Sequence, residues 1–243
     1  MESRLAGSVA IVTGASRGYG AGIAEVLTQE GARVWITARS GGDLQAVARR
    51  IGAQALTADV TRGKDWDRVF QTVLGAAGRL DILINNAGGT VRLAPLASLA
   101  DREIEQDLAL NLTGAILGCR RAVELMQRQK AGTIVNVSSV CAVEAWPQWA
   151  VYSAAKAGLL QFTKCLYAEL RPYGARATCL VPSWGATNFA KAAGYPEFDP
   201  QTAAKCIQPL ELGRVVADIC ALPAHLCLQE LILWPLVQEV VPL

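Results

Sequence analysis

The sequence has one histidine, His225, and no cysteine pair at CxxC spacing. A tetrahedral zinc site draws several Cys or His ligands from short spacings, so neither a structural nor a catalytic metal is expected. The cysteines, Cys119, Cys141, Cys165, Cys179, Cys206, Cys220 and Cys227, are scattered and odd in number. They read as small apolar residues of a reducing compartment, not as a disulfide framework. Long apolar runs are missing as well, and none approaches the roughly 20 residues of a membrane span. The opening MESRLAGSVAIVTG passes from polar residues straight into a short apolar run, without the features of a signal peptide. These absences favour the cytoplasm and no membrane partner. An excess of one charge is lacking too: the net charge is +2 with no basic block, which leaves no field for nucleic acid.

What the sequence does have is apolar bulk. Apolar residues make up 52% of the 243 and charged residues 18%, enough for a sizeable core and against global disorder. No linker, repeat or low-complexity tract divides the chain, so one α/β domain is expected over 1–243. Short apolar runs at 9–13, 33–37, 54–58, 82–85, 133–137, 177–181 and 231–234 read as strands. Most are unbroken blocks of Val, Ile, Leu and Ala, the pattern of strands covered on both faces of a parallel sheet. Helical stretches lie between them near 20–29, 43–51, 64–77, 104–129 and 151–170. Strand alternating with helix argues for βαβ crossovers and a doubly wound sheet. The irregular region 184–209, rich in Gly, Pro and Ala, is expected either to cover a ligand or to be a surface loop with a small helix.

The first strand runs into Thr13-Gly14-Ala15-Ser16-Arg17-Gly18-Tyr19-Gly20 and then a helix. Glycines there let the backbone approach a pyrophosphate, and the helix N-terminus offers unpaired N–H groups. The second strand ends Thr37-Ala38-Arg39, without the acid that usually holds a free ribose 2′-OH. Arg39 and, from the glycine loop, Arg17 instead offer planar forks for a 2′-phosphate, which predicts NADP(H) over NAD(H). Asp59, followed by Val60, offers a carboxylate to an adenine amino group. Asn85-Asn86-Ala87-Gly88 ends the fourth strand with small residues that leave room for the cofactor.

Tyr152 and Lys156 stand at i, i+4 spacing, on one face of a helix. A nearby ammonium favours the phenolate, so Lys156 is expected to lower the Tyr152 pKa toward useful acid/base work. Ser138-Ser139 ends the fifth strand, at the carboxyl edge where such sheets collect ligands, and a hydroxyl there can donate to a carbonyl oxygen. Asn111 is polar in an otherwise apolar helix. It satisfies a buried bond, bends the helix, or holds a water next to Lys156.

With TGxxxGxG at 13–20, NNAG at 85–88, Asn111, Ser139 and YxxxK at 152–156, in that order, the chain resembles the classical short-chain dehydrogenase/reductase family. The resemblance covers about the first three-quarters of the chain. It is similar enough to imply a single Rossmann-like doubly wound parallel sheet of about seven strands, order 3-2-1-4-5-6-7, with helices on both faces. It implies reversible reduction of a ketone or aldehyde to an alcohol with hydride transfer from NADP(H). Tyr152 would be general acid or base, Lys156 would hold the nicotinamide ribose and depress the tyrosine, and Ser139 would polarise the substrate oxygen. Asn111 would complete a proton relay through water.

The resemblance also places Pro182 and Thr187 beside the nicotinamide. Ser183 stands where the family usually has Gly, Gly185 where a β-branched residue is common, and Tyr19 where Ile or Leu is usual. A homotetramer or homodimer is implied, assembled through helices 104–129 and 151–170. The C-terminal run 231–240 lacks the glycine-rich segment of many relatives.

Cys141, Val143, Trp146 and Trp149 lie between Ser139 and Tyr152, and Trp184, Phe189 and Tyr195 lie in 184–209. These residues either wall a pocket for an apolar or ring-bearing carbonyl compound or pack the core or a subunit contact. Arg92 is the candidate for an anionic substrate group. The rival reading is a non-catalytic, NADP(H)-sensing binding module, which would not need Asn111, Ser139, Tyr152 and Lys156.

Overall fold

In the computed structural model, which describes residues 3–194 and 196–239, alternate residues of the first strand enter different cores. From β1 (Val9–Thr13), Ala10 and Val12 join one buried cluster while Val9 and Ile11 join another. A pleated strand sends successive side chains to opposite faces. Burial on both faces therefore requires the unbroken apolar run seen in the sequence. The same holds for β2 (Arg33–Ala38), β4 (Ile82–Asn85), β5 (Gly132–Val137) and β6 (Ala175–Pro182), with β3 (Gln54–Thr57) and β7 (Glu230–Leu233) at the two edges. All pairings are parallel, and the order is β3-β2-β1-β4-β5-β6-β7.

One face is covered by α1 (Gly18–Gln29), α2 (Gly41–Ile51) and α9 (Pro209–Cys220), through Ile23, Leu27, Leu44, Leu212 and Val216. The other carries α3 (Gly63–Ala77), α5 (Gly114–Gln129) and α6 (Ala150–Leu170), through Trp66, Phe70, Cys119, Met126, Leu166 and Leu170.

Two helical expectations need correction. The stretch 104–129 is not one helix. It begins at Asp101 as α4 (Asp101–Leu108), widens into a π-helical turn at Ala109–Thr113, and continues as α5. Glu103 starts α4 by accepting the Ala100 N–H at 2.8 Å. The π turn holds Asn111, and such turns recur at functional sites. The sequence reading also gives no helix at α9. Its start is set by Pro209 in the first turn and by Glu211, which accepts the Gln208 N–H at 2.8 Å.

After α9 the chain is drawn back to the sheet by Arg176, a buried residue of β6. Its guanidinium donates to the carbonyls of Cys220, Leu222, Pro223 and Leu226 and to Thr133 Oγ1, all at 2.9–3.0 Å. That anchor sets the path into β7, which in turn delivers the C-terminal segment to the carboxyl end of the sheet. Among the described residues no helix is long and apolar enough to cross a membrane, and no group of His, Cys, Asp and Glu is gathered for a metal.

Candidate active site

The chain reverses its direction of winding between β1 and β4, the switch point at which an open parallel sheet leaves a crevice. Thr13 closes the floor there: its Oγ1 accepts the Asn86 and Ala87 N–H groups at 3.0 Å, and Asn86 Nδ2 donates to Thr13 O at 2.9 Å. Gly14 sits at φ +67°, and a Cβ on it would lie 2.7 Å from Ala87 Cα, so no other residue fits without moving the floor. A cleft of about 1210 Å³ opens above.

The cofactor end of this cleft is lined by Gly14, Ser16, Arg17, Gly18, Tyr19, Arg39, Asp59, Val60, Asn86, Ala87 and Gly88. Gly20 lies beneath it, pressed against the Gly14 carbonyl. α1 begins without a side-chain cap and without an acid in its first turn, which leaves its N–H groups and dipole to a bound anion. Arg17 and Arg39 are exposed, and among the described residues their side chains have no hydrogen-bond or ion-pair partner. Asp59 lines this end, and its Oδ1 accepts from Thr61 N and Oγ1. These features fit a dinucleotide.

Further along, β5 ends in two serines with different tasks. Ser138 Oγ donates to Lys156 O at 2.9 Å and ties α6 to the sheet. Ser139 Oγ accepts the Cys141 N–H at 3.2 Å, capping a short 3-10 turn, and lines the cleft together with Tyr152. Lys156 is buried, with Nζ donating to Val137 O at 3.0 Å and standing 5.6 Å from the centre of the Tyr152 ring. A Cβ on Gly88 would meet Lys156 Nζ at 3.1 Å and Asn111 Oδ1 at 3.0 Å, so both groups converge on that glycine.

The sequence model described as short chain dehydrogenase matches residues 8–196. A 3beta-hydroxysteroid dehydrogenase 1 of Eggerthella lenta is 35% identical over 240 residues, covering 93% of this chain and 88% of the relative. A 3-oxoacyl-[acyl-carrier-protein] reductase of Synechocystis is 34% identical, covering 90% of this chain and 92% of the relative. The solved structure of a metagenomic short-chain oxidoreductase in complex with NADP superposes with a TM-score of 0.83 at 31% identity, covering 96% of this chain and 98% of that one. The chain belongs to the short chain dehydrogenase family.

As a short chain dehydrogenase it is a nicotinamide-dependent oxidoreductase acting on a CH–OH or carbonyl group of a small molecule. Burial holds the Tyr152 phenol above its usual range, with the Cys141 thiol adding to the shift and the Ser139 hydroxyl opposing it. Burial also lowers Lys156 to about 8. Desolvation of both groups outweighs the expected pull of the ammonium on the phenol.

Asn111 is held by backbone groups. Its Nδ2 donates to Gly89 O at 2.6 Å and to Asp107 O at 2.9 Å, and its Oδ1 accepts the Gly89 N–H at 3.1 Å. The side chain thus fixes the Gly88-Gly89 turn against the π turn, the buried-bond alternative of the sequence reading.

The substrate end gathers Ser139, Cys141, Trp146, Trp149, Tyr152 and Trp184, with Pro182 and Thr187 beside it. Trp149 meets Tyr152 edge-on at 5.6 Å and stacks with Phe189 at 6.1 Å, and Phe189 lies 5.5 Å from Tyr152. Region 184–209 contributes to the cleft lining, through Phe189 and Ala192 of α7 (Phe189–Ala192) and Phe198 before α8 (Pro200–Lys205). Its two ends are tied by Ala186 N to Ile207 O at 2.9 Å and Ile207 N to Trp184 O at 3.0 Å. Tyr195 lies outside the described residues, and Val143 is exposed away from the cleft lining.

Arg92 is not available to a substrate anion. It donates to both Glu103 oxygens, at 3.1 and 3.2 Å, and to Ser98 O at 2.7 Å, and it does not line the cleft. Sequence reasoning missed Phe198, whose ring lies 4.7 Å from that of Trp184, and Gln238. Neither belongs to a local motif.

Proposed function

We propose that the protein reversibly reduces the carbonyl of an apolar, ring-bearing ketone or aldehyde, with NADPH as the hydride donor. The observation that carries this reading is the meeting of Ser139, Tyr152 and Lys156 on the wall of the cleft whose floor is the glycine loop. When bound, the reduced nicotinamide supplies the hydride to the carbonyl carbon. Ser139 and Tyr152 donate to the carbonyl oxygen as negative charge develops on it. The Tyr152 proton then moves to that oxygen, and the charge left on the phenol is met by the Lys156 ammonium. Asn111 acts by holding the turn that faces Lys156. We read the chain as one cytoplasmic domain acting as a homodimer or homotetramer, with 184–209 as its substrate lid.

The apolar substrate follows from the wall. Trp146, Trp149, Phe189, Trp184 and Phe198 supply flat apolar area. Arg92, the candidate for an anionic substrate group, is bound to Glu103 and does not line the cleft. The test is NADPH consumption against a panel of neutral ring ketones and their carboxylated analogues. Turnover is expected for the neutral members. Tight NADPH binding with no turnover anywhere on the panel would instead make the protein a dinucleotide-sensing module.

NADP(H) is favoured over NAD(H) by the two unpaired arginines at the end of β2 and in the glycine loop. Asp43, which lines the cleft near Arg39, is engaged by Ser40 Oγ at 2.9 Å. Arg39→Asp is expected to lower kcat/KM with NADPH, relative to NADH, by about 10- to 100-fold, the loss of one charge-assisted bond. Steady-state kinetics with both cofactors measures this, and an unchanged ratio removes Arg39 from cofactor selection.

A further inference from the structure

The turn that leaves β6 departs from the family's Pro-Gly pattern, and its replacement residue has found a partner far along the chain. Ser183, where a glycine is usual, donates its hydroxyl to Gln238 Oε1. The same oxygen accepts the Trp184 N–H at 3.2 Å. A backbone N–H can only donate, so the Gln238 atom facing it is the oxygen. Gln238 is only 8% exposed although it lies close to the C-terminal end, in a turn closed by its own N–H on Pro235 O at 3.1 Å. Ser183 N also donates to Leu233 O at 2.9 Å, which extends the β6–β7 pairing up to the turn.

Trp184 is therefore held from two sides. Its carbonyl accepts the Ile207 N–H at 3.0 Å, and its N–H goes to Gln238. Trp184 is 38% exposed, and its indole leans on Phe198 and forms part of the cleft wall. A glycine at 183 has no hydroxyl to offer, so only the serine lets both donors close on one acceptor.

We infer that Gln238 is a positioning residue for the substrate wall. Its side-chain carbonyl clamps Ser183 and Trp184, so the C-terminal segment sets substrate affinity. The inference rests on the proposed reductase activity for its kinetic consequence, but not for its structural one. Gln238 lines the cleft beside Trp184 and makes no described contact with Tyr152 or Lys156, so the reacting atoms are expected to keep their arrangement when it is removed.

The test uses the full chain with Gln238→Ala, Gln238→Glu, Ser183→Ala and the double alanine variant. In the kinetic arm, Gln238→Ala is expected to raise KM for a neutral ring ketone about tenfold, the loss of two hydrogen bonds, with kcat within about twofold. Ser183→Ala gives a smaller rise, and the double variant is no worse than Gln238→Ala, because the two residues act as one unit. Gln238→Glu keeps an acceptor of the same reach and is expected to stay within about threefold of wild type.

In the second arm, hydrogen exchange is followed by mass spectrometry on the protein alone, with no substrate. Gln238→Ala should speed exchange in peptides spanning 183–189 and leave the β6 peptide 175–181 unchanged. This arm stands whether or not any ketone is turned over, so it separates a failure of the clamp from a failure of the reductase reading. Unchanged exchange at 183–189 in Gln238→Ala overturns the inference. So does a Gln238→Glu variant that behaves like Gln238→Ala, or a fall in kcat at constant KM.

Discussion

Replacing Tyr152 with phenylalanine is expected to lower kcat for ketone reduction by about a thousandfold, while NADPH binding stays within about threefold of wild type. The ring is retained, and with it the edge-on contact to Trp149 at 5.6 Å and the contact to Phe189 at 5.5 Å, so the wall does not collapse. Only the hydroxyl is lost. The cofactor floor is made by Thr13, Gly14, Asn86 and Ala87, none of which depends on it. Residual activity would come from Ser139, still able to polarise the carbonyl oxygen. Equal turnover by the variant would remove Tyr152 from the chemistry.

The pH profile supplies an independent check on the same pair. Reduction needs the phenol protonated, and burial keeps it so through the neutral range. The step leaves a negative charge on Tyr152, which the Lys156 ammonium must meet. Lys156 is lowered to about 8 and is a base, so its charge is present below that pH and lost as the pH rises through it. The reductive kcat is accordingly expected to be flat at neutral pH and to fall above about pH 8. A profile that stays flat far above pH 8 means that Lys156 keeps its charge in the working complex or is not required.

Much of this arrangement was legible before the structure, and the physical reason is burial. β1 and β4 fall where the apolar blocks 9–13 and 82–85 lie because both faces of these strands are covered, so the signal is local and continuous. The motif residues were legible because the glycine loop, Ser139 and Tyr152–Lys156 each occupy a fixed place at the end of a strand or the start of a helix.

What escaped the reading depends on contacts between distant parts of the chain. The break at Ala109–Thr113 is held by Asn111 against Gly89, a partner that helical periodicity alone does not reveal. Gln238 reaches the site only because Arg176 turns the chain after α9 back toward β7. Arg92 looked available because nothing local marks Glu103 as its partner. The direction of the Tyr152 shift was misjudged for the same kind of reason. Spacing placed an ammonium nearby but carried no measure of how dry the site is.

The second large effect concerns two residues that each depart from the family pattern and are explained only together. Tyr19, in the glycine loop, lies directly against Gly185 after β6, and a Cβ on Gly185 would overlap the Tyr19 hydroxyl. That hydroxyl is buried and has no hydrogen-bond partner among the described residues, so the ring is held there by packing. Burial pushes its pKa up accordingly. Gly185→Val, the β-branched residue common at this position, is expected to destabilise the protein by about 2–3 kcal/mol through overpacking. It should also raise KM for both NADPH and ketone, because Tyr19 joins the cofactor loop to the turn that carries Trp184. Tyr19→Ile alone leaves a void beneath Gly185 and is expected to cost about 2 kcal/mol. Together the two substitutions exchange one filled arrangement for another, since the valine occupies the space the phenol gives up. The double variant should therefore lie about 1–2 kcal/mol below wild type instead of the additive 4–5, a coupling of about 3 kcal/mol, at the upper end for residues in contact. Urea unfolding of the four proteins measures it. Additive losses would mean that Tyr19 and Gly185 vary independently, and that the unusual turn owes its shape to Ser183 and Gln238 alone.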